Sequence, residues 1–295
     1  MKRRAFMTLL GGAAAAWPLA ARAQQAGIPV VGVLYSGSSE MFSTLMAAFR
    51  QGLDEAGYVE GRNVALEIRL ADGHYDRLPS LAAELVRRQV AVIVTAGGQN
   101  SAFAAKASTA TIPIVFTTGG DLVRSGLIVS LNRPGGNVTG VTNLTAELEP
   151  KRLEILRELV PAAQRIAVLV NPAYQDVQLR VEEIQAAGRA FNAIGTAFTE
   201  LAERRAGALL VSSDPFFFSR RHEIVALAAQ YAVPATYQWR ELAQIGGLIS
   251  YGASRNYAQR EAGVPKGCQA IRSASPAGGQ VGIGYQPKHR QNIGP

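Results

Sequence analysis

The chain has 295 residues, nearly half of them apolar, a formal net charge of +8 and one cysteine, Cys268. That length suffices for one large domain or two lobes of ordinary size, and a single thiol excludes an internal disulfide. The positive charge suggests nucleic acid as a partner, but the excess sits at the two ends: residues 24 to 251 carry 20 basic and 21 acidic side chains, leaving no basic stripe on the body.

The chain opens as an export address. Lys2, Arg3 and Arg4 precede an apolar run from Phe6 to Ala16, and Ala21-Arg22-Ala23 offers a small-x-small processing site before Gln24. The run is shorter than the ~20 residues needed to cross a bilayer, so the mature chain is expected not to span a membrane. Arg3-Arg4 followed by x-Phe-Met is similar to the twin-arginine type of signal. No cysteine follows the processing site to carry a lipid anchor.

From residue 28 short apolar runs alternate with amphipathic segments, the pattern of an α/β fold with parallel sheets. Strands are predicted over Ile28 to Tyr35, Asn63 to Leu70, Val90 to Thr95 and Ile112 to Thr117. Helices are predicted over Met41 to Ala56, Asp76 to Arg88 and Ser101 to Ala107. Residues 132 to 145 (NRPGGNVTGVTNLT) are rich in turn formers and read as a crossover between lobes. The alternation then restarts. Pro150 to Val160, Asp176 to Ala190, Ala193 to Arg205 and Phe218 to Tyr231 read as helices. Arg165 to Val170, Ala208 to Val211, Pro234 to Tyr237 and Gly247 to Tyr251 read as strands.

Two places break the rhythm. Only Phe191-Asn192 separates two predicted helices where a parallel βαβ unit needs a strand, so the second lobe reads as one strand short. Residues 252 to 295 lose apolar periodicity and become rich in Gly, Pro, Gln, Arg and Ser. The expected organisation is a signal over residues 1–23, a first lobe over 24–135, a second over 136–251, and an irregular tail over 252–295.

The stretches AFRQGLDEAGYVEGRNVALEIRLADGHYDRLPSLAAELVRRQVAVIVTAGG, TIPIVFTTGGDLVRSGLIVSLNRPGGNVTGVTNLT and RAGALLVSSDPFFFSRR, with the signal before them, resemble the bacterial ABC-transporter substrate-binding proteins of the tryptophan/tyrosine-type group. The resemblance implies two Rossmann-like lobes of the type I periplasmic-binding kind, joined by a hinge, the second incomplete. It implies capture of a small molecule, an amino acid or a related compound, in the cleft, and delivery to an ABC permease at the inner membrane. The protein would be a periplasmic monomer with no cofactor, metal, nucleic-acid partner or enzymatic activity. Members of the group carry a strand near residue 191 and a final apolar segment after Tyr251. Here the tail reads as a frame-shifted version of that ending, and the shortened second lobe is expected to be unstable and to bind weakly.

The resemblance places the ligand against the loops that follow the strands. In this chain these offer Tyr35, Ser36, Gly37 and Ser38; Gly97 and Gly98; Thr118, Gly119 and Asp121; Asn143; Asn171; Asp214; and Tyr251. Glycines let backbone N–H groups approach a ligand, and hydroxyls and helix N-termini suit a carboxylate. Asp121 or Asp214 would pair with an amino group, and Tyr35 and Tyr251 would offer ring faces. The same Ser, Thr, Asn and Asp residues are ordinary helix caps and turn formers, and Phe216-Phe217-Phe218 reads as core or interlobe packing rather than a substrate box. No Gly-x-Ser-x-Gly elbow or phosphate loop is present. A secreted α/β hydrolase is the alternative. A sugar-repressor-like regulator would need a helix-turn-helix where this chain has its signal.

Overall fold

The computed structural model describes residues 28–142, 145, 148–175, 177, 190–191 and 194–252. Its first five strands are β1 (Val30–Tyr35), β2 (Ala65–Leu70), β3 (Val92–Ala96), β4 (Ile114–Thr118) and β5 (Val138–Thr142). They form one sheet in the order β2-β1-β3-β4-β5, with every pairing parallel. Helices α1 (Ser39–Glu55), α2 (Leu78–Arg87) and α3 (Gln99–Ser108) are the crossovers. Two of the central strands, β1 and β3, are almost continuously apolar because helices cover both faces.

The helices form because their apolar residues recur at three- and four-residue intervals. In α2 the buried set is Leu78, Leu81, Ala82 and Leu85, and Pro79 sits in the first turn, where its missing N–H has no intrahelical partner to lose. Each buried leucine contributes about 1.5–3 kcal/mol.

The second sheet has the order β10-β9-β8-β6-β7, from β6 (Ile166–Leu169), β7 (Ala190–Phe191), β8 (Ala208–Val211), β9 (Ala235–Tyr237) and β10 (Ile249–Ser250). All of its pairings are parallel. Around it lie α4 (Glu149–Leu159), α5 (Ile194–Glu203), α6 (Pro215–Ser219), α7 (Arg221–Gln230) and α8 (Arg240–Gln244). Phe198, Leu201, Leu209 and Ile224 are fully buried in its core.

Two expectations are corrected. Residues 138–142 are not part of the crossover: Val138 to Thr142 pair with Ile114 to Thr118, so the first lobe runs past residue 135. Asn137 fixes this strand by donating its side-chain amide to the carbonyls of Thr109 and Ile112, at 3.1 and 2.7 Å. The strand judged absent near residue 191 exists in shortened form, with Ala190–Phe191 paired to Val168 and Leu169 of β6. The signal, residues 178–189 of the predicted helix between β6 and β7, and the tail from 253 lie outside the described residues.

Candidate functional site

In a parallel sheet the loops after the strands all leave from one edge. Here the carboxyl edges of both sheets face each other, and their loops meet. Tyr75, in the turn between β2 and α2, donates its hydroxyl to Asp214 Oδ1 of the second lobe at 2.5 Å. Asn100, in the first turn of α3, donates to the Ala173 carbonyl at 2.8 Å and accepts from Gln175 N–H at 3.0 Å. The Gln99 N–H donates to the Tyr174 hydroxyl at 3.3 Å. At the outer edge, Arg221 lies 4.9 Å over the Phe218 ring and donates to Glu40 Oε1 at 2.6 Å.

The predicted residues divide into several roles. Tyr35 offers no open ring face. It is buried, packs 5.5 Å from Phe42, and fills the gap between Gly37 and Gly97: a Cβ added at Gly37 would lie 2.5 Å from its hydroxyl, and one at Gly97 2.9 Å from its ring. Ser36 is also inward and donates to the Gly97 carbonyl. Asp121 accepts from the N–H groups of Val123 and Arg124 at 3.1 and 3.0 Å, and Asn171 accepts from Ala173 N–H at 3.0 Å, so each has an oxygen in a local turn. Asp214 caps α6 through Phe216 N–H at 2.8 Å with the same oxygen that meets Tyr75. Tyr251 is exposed, and its carbonyl accepts from Arg152 at 3.3 Å. Gly119 follows Thr118 at the end of β4, half-buried. Asn143 lies outside the described residues.

Ser38 sits at the cap position of α1 but does not cap it. Asp72, held at φ +55°, accepts from Ser39 N–H at 2.9 Å instead, and the Ser38 hydroxyl is buried with no hydrogen-bond partner. The Thr118 hydroxyl at the end of β4 is in the same condition. So is Gln238 Oε1, one residue past β9. A buried polar atom without a partner costs roughly 1–3 kcal/mol, so such atoms at converging loops point to a polar ligand.

Gly97 and Gly98 have φ of +84° and +111°, values that L side chains resist. They turn the chain sharply from β3 into α3. Gly98 also faces the other lobe: a Cβ there would lie 3.0 Å from the Tyr174 hydroxyl and 3.4 Å from Pro215. Gly73 faces Phe216 in the same way, 3.7 Å from its ring, while Phe217 and Phe218 enter the second core. The cluster packs as expected.

Sequence reading missed Tyr75, Gln99, Asn100, Tyr174 and Gln238. Gln99-Asn100 follow Gly97-Gly98 directly, so the strand-end rule extended by two residues would have included them. A buried ionic network was also missed. Glu149 Oε1 accepts from Ser212 Oγ at 3.0 Å and Ser213 N–H at 2.7 Å, and lies 3.2 Å from Arg152, which donates to Ser213 Oγ at 2.7 Å. Burial and the Asp214 carboxylate push the Tyr75 hydroxyl well above the usual phenol range, so it stays a proton donor. Burial raises Tyr237, at the end of β9, to about 12. The Arg221 guanidinium holds Glu40 below the usual carboxylate range. Among the described residues no His, Cys, Asp and Glu cluster could hold a metal ion, and no helix is long and apolar enough to cross a membrane.

Two parallel α/β lobes meeting through their strand-end loops, with partnerless buried polar atoms at or just past strand ends in each lobe, define a two-lobed binding protein. Known proteins agree. Residues 30–267 match the family model described as ABC transporter substrate binding protein, and the chain belongs to that family. A curated relative, the tyrosine-binding protein of Clostridioides difficile strain R20291, is 32% identical over 136 residues, 46% of this chain and 39% of the relative's length. The match thus spans well under half of that protein. A Streptococcus pneumonia ABC domain solved in complex with L-Trp superposes with a TM-score of 0.72 at 21% identity, over 86% of this chain and 88% of that one. A conserved domain protein of Vibrio cholerae gives 0.71 at 23% identity, over 80% and 83%. At these identities the two structures establish the type I periplasmic-binding fold. The hydrolase alternative finds no support in them.

Proposed function

We propose that this chain captures an amino acid with an aromatic side chain between its lobes and delivers it to an ABC permease. The observation that carries the reading is the trio of buried, partnerless polar atoms, Ser38 Oγ, Thr118 Oγ1 and Gln238 Oε1, on loops of opposing lobes. Hydroxyls and the α1 N-terminus beside Ser38 suit a carboxylate, and the amide oxygen suits an ammonium or ring N–H. The tyrosine-binding relative and the L-Trp complex support this class. Ser38, Gly98, Thr118 and Gly119 are retained from the predicted loops as ligand contacts. Tyr35, Ser36, Gly37 and Gly97 shape their support, Asp121, Asn171 and Asp214 hold their turns, and Tyr251 stands exposed past β10.

The protein acts by binding and involves no bond-making step or cofactor. It works as a monomer in the periplasm, exported by the signal over residues 1–23 and processed after Ala23, with lobes over 24–142 and 149–251. The weak binding expected from sequence rests on a missing strand and on the loss of the terminal segment after Tyr251; the two-residue strand β7 stands in the first place, and the tail from 253 lies outside the described residues.

Isothermal titration with L-Trp, L-Tyr, L-Phe and L-Leu tests the ligand class. A saturable heat for at least one aromatic amino acid, exceeding Leu tenfold in affinity and lost in Thr118→Val, is expected. Equal or absent binding of all four refutes the class. Mass spectrometry of the periplasmic fraction should find an N-terminus at Gln24.

A further inference from the structure

We propose that Tyr75 and Asn100 form a clasp between the lobes that sets how long a bound solute is held. The inference rests on the binding-protein reading, but the clasp is made by the chain alone. Tyr75 reaches a carboxylate 139 residues away in sequence, and its ring lies 6.3 Å from Tyr174 of the same opposing lobe. Asn100 uses both ends of its side-chain amide on the backbone of one turn, at Ala173 and Gln175. These bonds join loops belonging to different sheets, so they exist only while the lobes are together.

Their setting makes them effective. Tyr75, Tyr174 and Asp214 are buried, and a hydrogen bond to a charged acceptor shielded from water is about twice as strong as a neutral one. Asp214 is held in place: its oxygen also caps α6, and its neighbours Ser212 and Ser213 are fixed by the buried Glu149–Arg152 pair. Glu149 and Arg152 open α4, which follows the crossover from the first lobe, so the clasp turn is tied to the hinge side of its lobe. Gly98 removes the side chain that would hold the two turns apart. Apparent affinity scales with the fraction of molecules in the competent state, so a contact that stabilises only the closed state strengthens binding of whatever lies inside.

Two measurements on the full chain decide this. In a Cys268→Ser background, spin labels at Asp54→Cys on α1 and Glu203→Cys on α5 report the lobe separation without ligand. Tyr75→Phe, which removes one oxygen, and Asn100→Ala should each lower the ratio of short to long separations by roughly tenfold. An unchanged distribution in both variants overturns the proposal. With L-Trp and L-Tyr as probes, the variants should release the amino acid about tenfold faster while association changes less than twofold. Unchanged release in both variants, with wild-type binding intact, also overturns it. Wild-type protein that binds neither probe tells against the ligand class proposed above, and the spin-label measurement still decides the clasp.

Discussion

The two lobes share one topology but hold their site-bearing edges in different ways. The strands of the first sheet run five or six residues, and two apolar clusters cover its faces. The strands of the second run two to four residues. Less apolar ladder is available there, and a buried polar network takes over at the carboxyl edge. Glu149 and Arg152 connect α4 to the turn after β8 and to the Tyr251 carbonyl at the end of β10. The comparison teaches that a short-stranded sheet can still present a defined loop surface if charged groups knit its loops from behind. The first lobe relies on its core for the same purpose.

The largest effect should come from breaking that network. Arg152→Met leaves Glu149 buried without its cation and should cost about 3–5 kcal/mol in urea unfolding, with the second lobe melting first. If both lobes lose stability equally, the network is not particular to the second lobe.

Alkaline titration gives the next effect. Tyr237 has a folded-state pKa raised to about 12, above its unfolded value near 10. Its contribution is therefore fully present below pH ~10 and lost as pH rises through ~12, amounting to roughly 3 kcal/mol by linkage. Tyr237→Phe should flatten this limb of the pH–stability curve. A first-lobe control, Phe116→Leu, should leave it in place.

Gly98→Ala probes the meeting line of the two lobes. The added Cβ at φ +111° and 3.0 Å from Tyr174 should weaken L-Trp or L-Tyr binding about tenfold, as titration would show. Full affinity in this variant would mean that the lobes meet elsewhere. The smallest effect belongs to Glu40→Gln, which unpairs Arg221 at the exposed rim. It should change affinity about twofold in dilute buffer and not measurably at 1 M salt.

The sequence made the strands and helices legible because apolar runs and three-to-four spacing report burial directly. It hid β5, because Asn-Val-Thr-Gly-Val-Thr carries turn residues and its membership in the sheet is decided by pairing with β4 and by the Asn137 amide. At the site, topology told which loops converge but not what each atom does. Asp214 reads as an Asp-Pro turn and is one, yet its second partner comes from a distant loop that has no periodicity to mark it. Ser38 looks like a cap, and only the geometry of Asp72 shows that the task is done by another residue. Local spacing records neither fact, because both arise from contacts far apart along the chain.

Tyr35 has one more consequence. Its ring occupies the gap between the loops leaving β1 and β3, so that part of the first lobe keeps its width whether a solute is present or absent. The first lobe then behaves as a fixed gauge. An effort to retune the protein as a biosensor would therefore leave Tyr35 untouched, together with the turns at Asn171–Gln175 and Ser212–Phe216 that carry the clasp and the buried network.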